Sequence, residues 1–214
     1  MGRGRGKRSL DRRKSSRQEQ RRFLIYCEGE CTEKRYFKSL KSELRALPVS
    51  VEIGREHREP KSLVRAAIDH KERAPRSAAD RYTAYDEVWC VMDVEAPVAH
   101  PSLPSAIRLA REHGISVALS NPCFELWLLL HFKTVSNYHS SEEMQRVLAA
   151  LETCGYAVER KDFDFDALRG RFEQARQRAV ELRRTGPSVS SMNPSTNVDL
   201  LVDLLVAARH GRSI

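Results

Sequence analysis

The chain has 214 residues, enough for one domain with a sizeable core, and a composition of 41% hydrophobic and 31% charged residues that fits a globular protein. No run of about 18 uninterrupted apolar residues occurs, so no membrane span is expected, and the basic N-terminus lacks a signal peptide's apolar stretch, which makes the cytoplasm the expected location. The formal charge of +8 is confined to residues 1–22, where 10 Lys/Arg face 2 Asp/Glu; the remaining residues hold 27 basic and 27 acidic groups.

Residues 1–22 are almost free of apolar side chains and read as a disordered basic tail. Arg3, Arg5, Lys7, Arg8, Arg12 and Arg13 are its candidate contacts to a nucleic-acid backbone. A solubilising extension would have the same composition.

From residue 22 the pattern alternates between strand and helix. Residues 22–27 (RFLIYC) form a first apolar run, followed by Glu28-Gly29-Glu30. Tyr36, Phe37, Leu40, Leu44 and Leu47 then recur at helical spacing over 32–47. Val49 to Ile53 alternates as a second strand, and Ser62 is placed to cap a helix striped by Leu63, Ala66, Ala67 and Ile68. A polar linker over 74–86 leads to a third apolar run, Val88 to Met92, which ends in Asp93-Val94-Glu95. A proline-rich loop gives way to a helix over 103–113 that stops at Gly114, and Ile115 to Leu119 is a fourth strand.

Asn121 and Pro122 then have the form of a helix cap and first turn for the apolar segment through Phe132, in which Glu125 is the one acid. Ser140 and Glu143 fit a capping box for a helix ending near Gly155. A longer helix is predicted over 165–184, with Arg169, Arg176 and Arg183 on one side of its apolar stripe and Arg171 and Arg178 on the other. Such rows grip phosphates or, more commonly, lie along an amphipathic surface. Asn193 to Asn197 opens a final helix.

Strands alternating with helices over the first 120 residues predict an α/β sandwich with a mostly parallel four-stranded sheet over residues 23–133 and a helical elaboration over 134–214. If strands one and three are neighbours, with two outside one and four outside three, the switch point falls between Glu28 and Asp93, where ligands collect in such sheets. Glu28, Asp93, Glu95 and Glu125 are hard oxygen ligands of the kind Mg²⁺ or Mn²⁺ takes, and a site of one or two carboxylates plus waters leaves room for a phosphate. Strand-end acids also cap helices or remain solvated. Glu30, Glu33, His100 and Asn121 are possible supporting residues; Thr32 reads as a cap, His131 as structural, and the five cysteines, with no C-x-x-C pair, as core thiols and not a zinc site.

The segments Cys27-Glu28-Gly29-Glu30-Cys31-Thr32-Glu33 with Tyr36-Phe37, Trp89 to Glu95, Ser120 to Phe132, and Asn193 to Val198 together resemble the RloB-like proteins, most specifically through Asn121-Pro122-Cys123-Phe124-Glu125. The resemblance implies a TOPRIM-like three-layer fold and Mg²⁺-dependent phosphodiester chemistry in bacterial phage defence, beside an ATPase of the ABC or OLD type. It gives Glu28 the proton-transfer role of the glutamate after strand one and Asp93 that of the first metal-binding aspartate. Two positions depart from the family pattern: Glu95 stands for the second aspartate and Cys31 for a lysine. The resemblance implies cleavage of RNA, transfer RNA included, or of DNA. The alternative is a non-catalytic module that docks a partner ATPase or senses a nucleotide.

Overall fold

A computed structural model describes residues 21–44, 49–53, 59–184, 186 and 188–209, with the 49–53 strand known by its backbone. The six basic tail positions from Arg3 to Arg13 lie outside the described residues.

Four parallel strands, β1 (Phe23–Cys27), β2 (Val49–Ile53), β3 (Glu87–Asp93) and β4 (Ser116–Asn121), form the sheet, and a two-residue antiparallel strand, β5 (Ser195–Thr196), extends its edge. The order is β2-β1-β3-β4-β5. It places β1 beside β3, with Cys27 in register with Val91. All five residues of β1 are buried, as expected of a strand covered on both faces.

The two-residue period of the strands divides the core. Phe23, Ile25, Cys27, Trp89, Val91 and Ala118 face one layer, built from α1 (Thr32–Leu44), α4 (Glu125–Leu130), α5 (Ser141–Ala149), α6 (Phe172–Arg184) and α7 (Val198–Arg209). Leu24, Tyr26, Val88, Cys90 and Met92 face the other, built from α2 (Pro60–Arg73) and α3 (Leu103–Glu112). The result is a three-layer α/β sandwich. Among the described residues no helix is long and apolar enough to cross a membrane. Four cysteines are buried and free, while Cys31 is exposed.

Several local expectations are corrected. Glu59, not Ser62, caps α2: its carboxylate accepts from the Ser62 N–H while Pro60 occupies the first turn, where its missing N–H costs nothing. Asn121 is the last residue of β4 and not a helix cap, and α4 begins only at Glu125. Strand pairing with β5 holds Asn121 in extended backbone, and the Asn121–Pro122 peptide is cis. The predicted 165–184 helix is interrupted at Gly170, whose φ of +74° lies outside the helical region, so α6 starts at Phe172.

Within Asn193 to Asn197, which does not start a helix, Ser195 and Thr196 make the edge strand β5 and α7 begins at Val198. Asn197 clamps β4 by accepting from the Leu119 N–H (2.6 Å) and donating to the Val117 carbonyl (3.1 Å). The Ser140–Glu143 capping box is present. The arginine rows serve packing: Arg183 forks onto the buried Asp199 carboxylate (2.5 and 2.7 Å), Arg176 pairs with Asp203 (3.0 Å), Arg178 donates to the Leu130 carbonyl and Arg171 lies over the Phe132 ring.

Candidate metal centre

The carboxyl ends of β1 and β3 open into a cleft of about 630 Å³ lined by Glu28, Gly29, Glu30, Cys31, Thr32, Glu33, Asp93, Glu95, Glu125 and Lys161. Each acid is delivered by a different local device. Glu28 follows β1 directly, its N–H continuing the ladder to the Val91 carbonyl (3.1 Å). Asp93 is the last residue of β3, one strand away, and its N–H donates to Glu28 Oε2 (3.1 Å), so the two strand-end acids share one site. Glu95 sits exposed at the rim with φ of +66°, its N–H held by the Pro122 carbonyl (2.9 Å). That left-handed backbone is uncommon for a glutamate.

Glu33 and Glu125 come from the first turns of α1 and α4, where a carboxylate is favoured by the helix dipole. Both are buried. Glu125 Oε1 accepts from Thr32 Oγ1 (3.0 Å) and Tyr156 Oη (2.6 Å), which satisfies the need for partners that its apolar segment creates. Thr32 is therefore a carboxylate partner as well as the first residue of α1. Gly29 leaves room for the Glu33 carboxylate: a Cβ there would overlap it and force that side chain to shift.

The cleft is electrostatically costly. Burial raises the Glu28 carboxyl to about 7, with the charges of Glu95 and Glu59 adding to the rise and the Asp93 N–H opposing it. Burial and the neighbouring Glu125 likewise hold Glu33 at about 7. Asp93 is pushed well above the ordinary aspartate range by burial, then by Glu33, Glu125 and Glu28. Lys161 opposes the shifts of both Glu33 and Asp93. Buried like charges of this kind call for a cation or a proton.

The donor set suits a hard divalent cation. Asp93 Oδ1 is buried and has no hydrogen-bond partner among the described residues, leaving an acceptor oxygen available to a ligand. No three His, Cys, Asp or Glu side chains among the described residues form a ready-made cage. Mg²⁺ does not need one, since it keeps most of its waters and takes one or two carboxylates.

Two supporting candidates lie elsewhere. His100 lines a separate cavity with Pro101, Leu103 and Pro104, and its Nδ1 accepts from the Ser102 N–H (3.2 Å). Asn121 donates to the Val189 carbonyl (3.4 Å) and does not line the acidic cleft. His131 is structural: its Nδ1 donates to the Trp127 carbonyl (2.9 Å), and burial lowers its pKa to about 4. Tyr156 and Lys161 were missed by sequence reasoning. Glu125 signalled that some donor must reach it, but nothing local to Tyr156 marks it as that donor.

The chain is thus a mostly parallel α/β sandwich protein that gathers acidic side chains where the carboxyl ends of β1 and β3 adjoin. The particular family follows from the sequence: the model of the RloB-like protein family matches residues 23–205, and the chain belongs to that family. No curated protein matches it, and no solved structure does.

Proposed function

We propose that the protein is a Mg²⁺- or Mn²⁺-dependent nuclease with a TOPRIM-like site, acting in the cytoplasm as an abortive-infection effector of bacterial antiviral defence. RNA, including transfer RNA, is the preferred substrate class over DNA. The observation that carries the reading is the convergence of Glu28 and Asp93 in one cleft, with Asp93 Oδ1 buried and unpartnered among the described residues.

Asp93 and Glu95 would hold the ion, with Glu125 as a third ligand or as the group that orients it. A bound divalent cation polarises a phosphodiester and lowers the pKa of water. Glu28 lies beside Asp93 with a carboxyl near neutrality, so it can accept a proton at one oxygen and return it to a leaving alkoxide. Thr32 and Tyr156 fix one oxygen of Glu125. The basic tail would add phosphate contacts, and an ABC- or OLD-type ATPase is the proposed partner.

The test is incubation of the purified protein, with and without the proposed ATPase partner, with total RNA and plasmid DNA in Mg²⁺ or Mn²⁺. Cleavage that Glu28→Gln and Asp93→Asn abolish supports the reading; cleavage surviving both substitutions refutes it. A second reading, a non-catalytic module docking the ATPase or sensing a nucleotide, is favoured by the neutral body, whose 27 basic and 27 acidic groups give little electrostatic footprint for nucleic acid. It predicts salt-dependent binding lost with residues 1–22 and no cleavage.

A further inference from the structure

One wall of the acidic cleft comes from the C-terminal part of the chain. Residues 154–164 fold back on themselves: Ala157 and Asp162 form an antiparallel bridge, and the Asp164 N–H bonds the Cys154 carbonyl (2.9 Å). Buried Cys154, Tyr156 and Phe163 root the segment in the core. Two contacts fasten it to the start of α1. Thr32 Oγ1 donates to the Lys161 carbonyl (3.3 Å), and Arg35 pairs with Asp162 (3.6 Å).

Lys161 stands at the turn of this segment with φ of +48°, a left-handed conformation that costs an ordinary side chain about 1 kcal/mol or more and that the surrounding contacts sustain. Among the described residues lining the cleft it is the one cation, against six carboxylates. Its side chain is exposed, so burial does not account for its presence there. A phosphodiester entering a cleft of this charge meets repulsion that a metal alone would have to overcome, and an ammonium at the rim supplies a second positive contact.

We propose that Lys161 binds a non-bridging phosphate oxygen of a nucleic-acid strand in the cleft, fixing the strand against the acids of β1 and β3. The proposal rests on the nuclease reading of the site and adds a substrate-binding residue from the segment between α5 and α6. A structural lysine would leave the ionic-strength dependence of binding untouched, and this separates the two roles.

The experiment uses the full chain and short fluorescent single-stranded RNA and DNA probes of one sequence, titrated in Ca²⁺ over a range of salt. Lys161→Ala, Lys161→Asn and Lys161→Arg are compared with the unsubstituted protein; asparagine tolerates left-handed backbone, so that variant removes the charge without disturbing the turn. Loss of one charged contact should weaken binding roughly tenfold in the alanine and asparagine variants. The slope of log affinity against log salt should fall by about 0.7, with arginine retaining both. In Mg²⁺ cleavage assays KM should rise with the same pattern. Equal affinities and slopes overturn the role of Lys161 while leaving the nuclease reading intact, as does lost cleavage with unchanged binding. Absence of binding by the unsubstituted protein to either probe overturns the proposed contact, while the nuclease reading stands or falls on the cleavage assay.

Discussion

Replacing Glu28 by glutamine should make the metal-free protein more stable. Glu28 is raised from its ordinary 4.5 to about 7, chiefly by burial, so its charged form is disfavoured in the folded state. Below about pH 4.5 the carboxyl is neutral in both folded and unfolded chains and contributes nothing. As pH rises from 4.5 towards 7 the unfolded chain ionises first, and folding stability falls; above 7 the full cost is present. At 1.36 kcal/mol per pH unit the cost is about 3 kcal/mol. Glutamine is nearly isosteric, and its carbonyl oxygen can still accept the Asp93 N–H that now bonds Glu28 Oε2 at 3.1 Å. Urea unfolding in EDTA should therefore show Glu28→Gln more stable by about 3 kcal/mol at pH 8, a midpoint shift of about 1 M. At pH 4 the two proteins should agree within about 0.5 kcal/mol. Saturating Mg²⁺ at pH 8 should narrow the gap by stabilising the unsubstituted protein preferentially. A variant that is equally or less stable at pH 8 in EDTA would refute the account of the cleft as a destabilising anionic cluster.

Three other perturbations probe the supports of the site. Tyr156→Phe removes the 2.6 Å donor to Glu125, and calorimetric titration should show Mg²⁺ affinity reduced roughly 10–100-fold, as for other groups that orient metal-binding carboxylates; unchanged affinity would place Glu125 outside the ion's surroundings. Gly29→Ala forces the Glu33 carboxylate aside and should cost about 1–3 kcal/mol in a thermal or urea melt, with Glu33→Ala restoring most of the loss in the double variant. Arg183→Ala leaves the buried Asp199 carboxylate without its forked partner and should cost about 3–5 kcal/mol, whereas replacing both residues by apolar ones should recover most of it.

The strand-end acids were legible because residue order alone sets them at the ends of apolar runs. Glu28 and Asp93 each follow a β-branched and aromatic segment, and parallel sheets bring such ends to one edge. The buried acid of α4 was legible for the same reason, since Glu125 interrupts an otherwise apolar segment. Asn121 misled because its sequence context, Asn-Pro before an apolar run, has the form of a helix start, while pairing of β4 with β5 holds it as a strand residue. Asn193 to Asn197 misled in the same way: the short edge strand exists only because β4 offers its unpaired edge.

The sequence by itself determined the alternation of strands and helices, the division of the core by the period of two along β1 and β3, and the identity of the acids. These are local properties, fixed by side-chain chemistry and its spacing along the backbone. Only the tertiary structure decided that Glu28 meets the Asp93 N–H across neighbouring strands, that Tyr156 reaches Glu125, and that Lys161 stands at the mouth of the cleft. Those contacts span 31 residues for Tyr156 and Glu125 and 65 for Glu28 and Asp93. No local preference encodes them; they arise because the order of the sheet and the packing of the C-terminal segment onto α1 and α4 bring distant segments together.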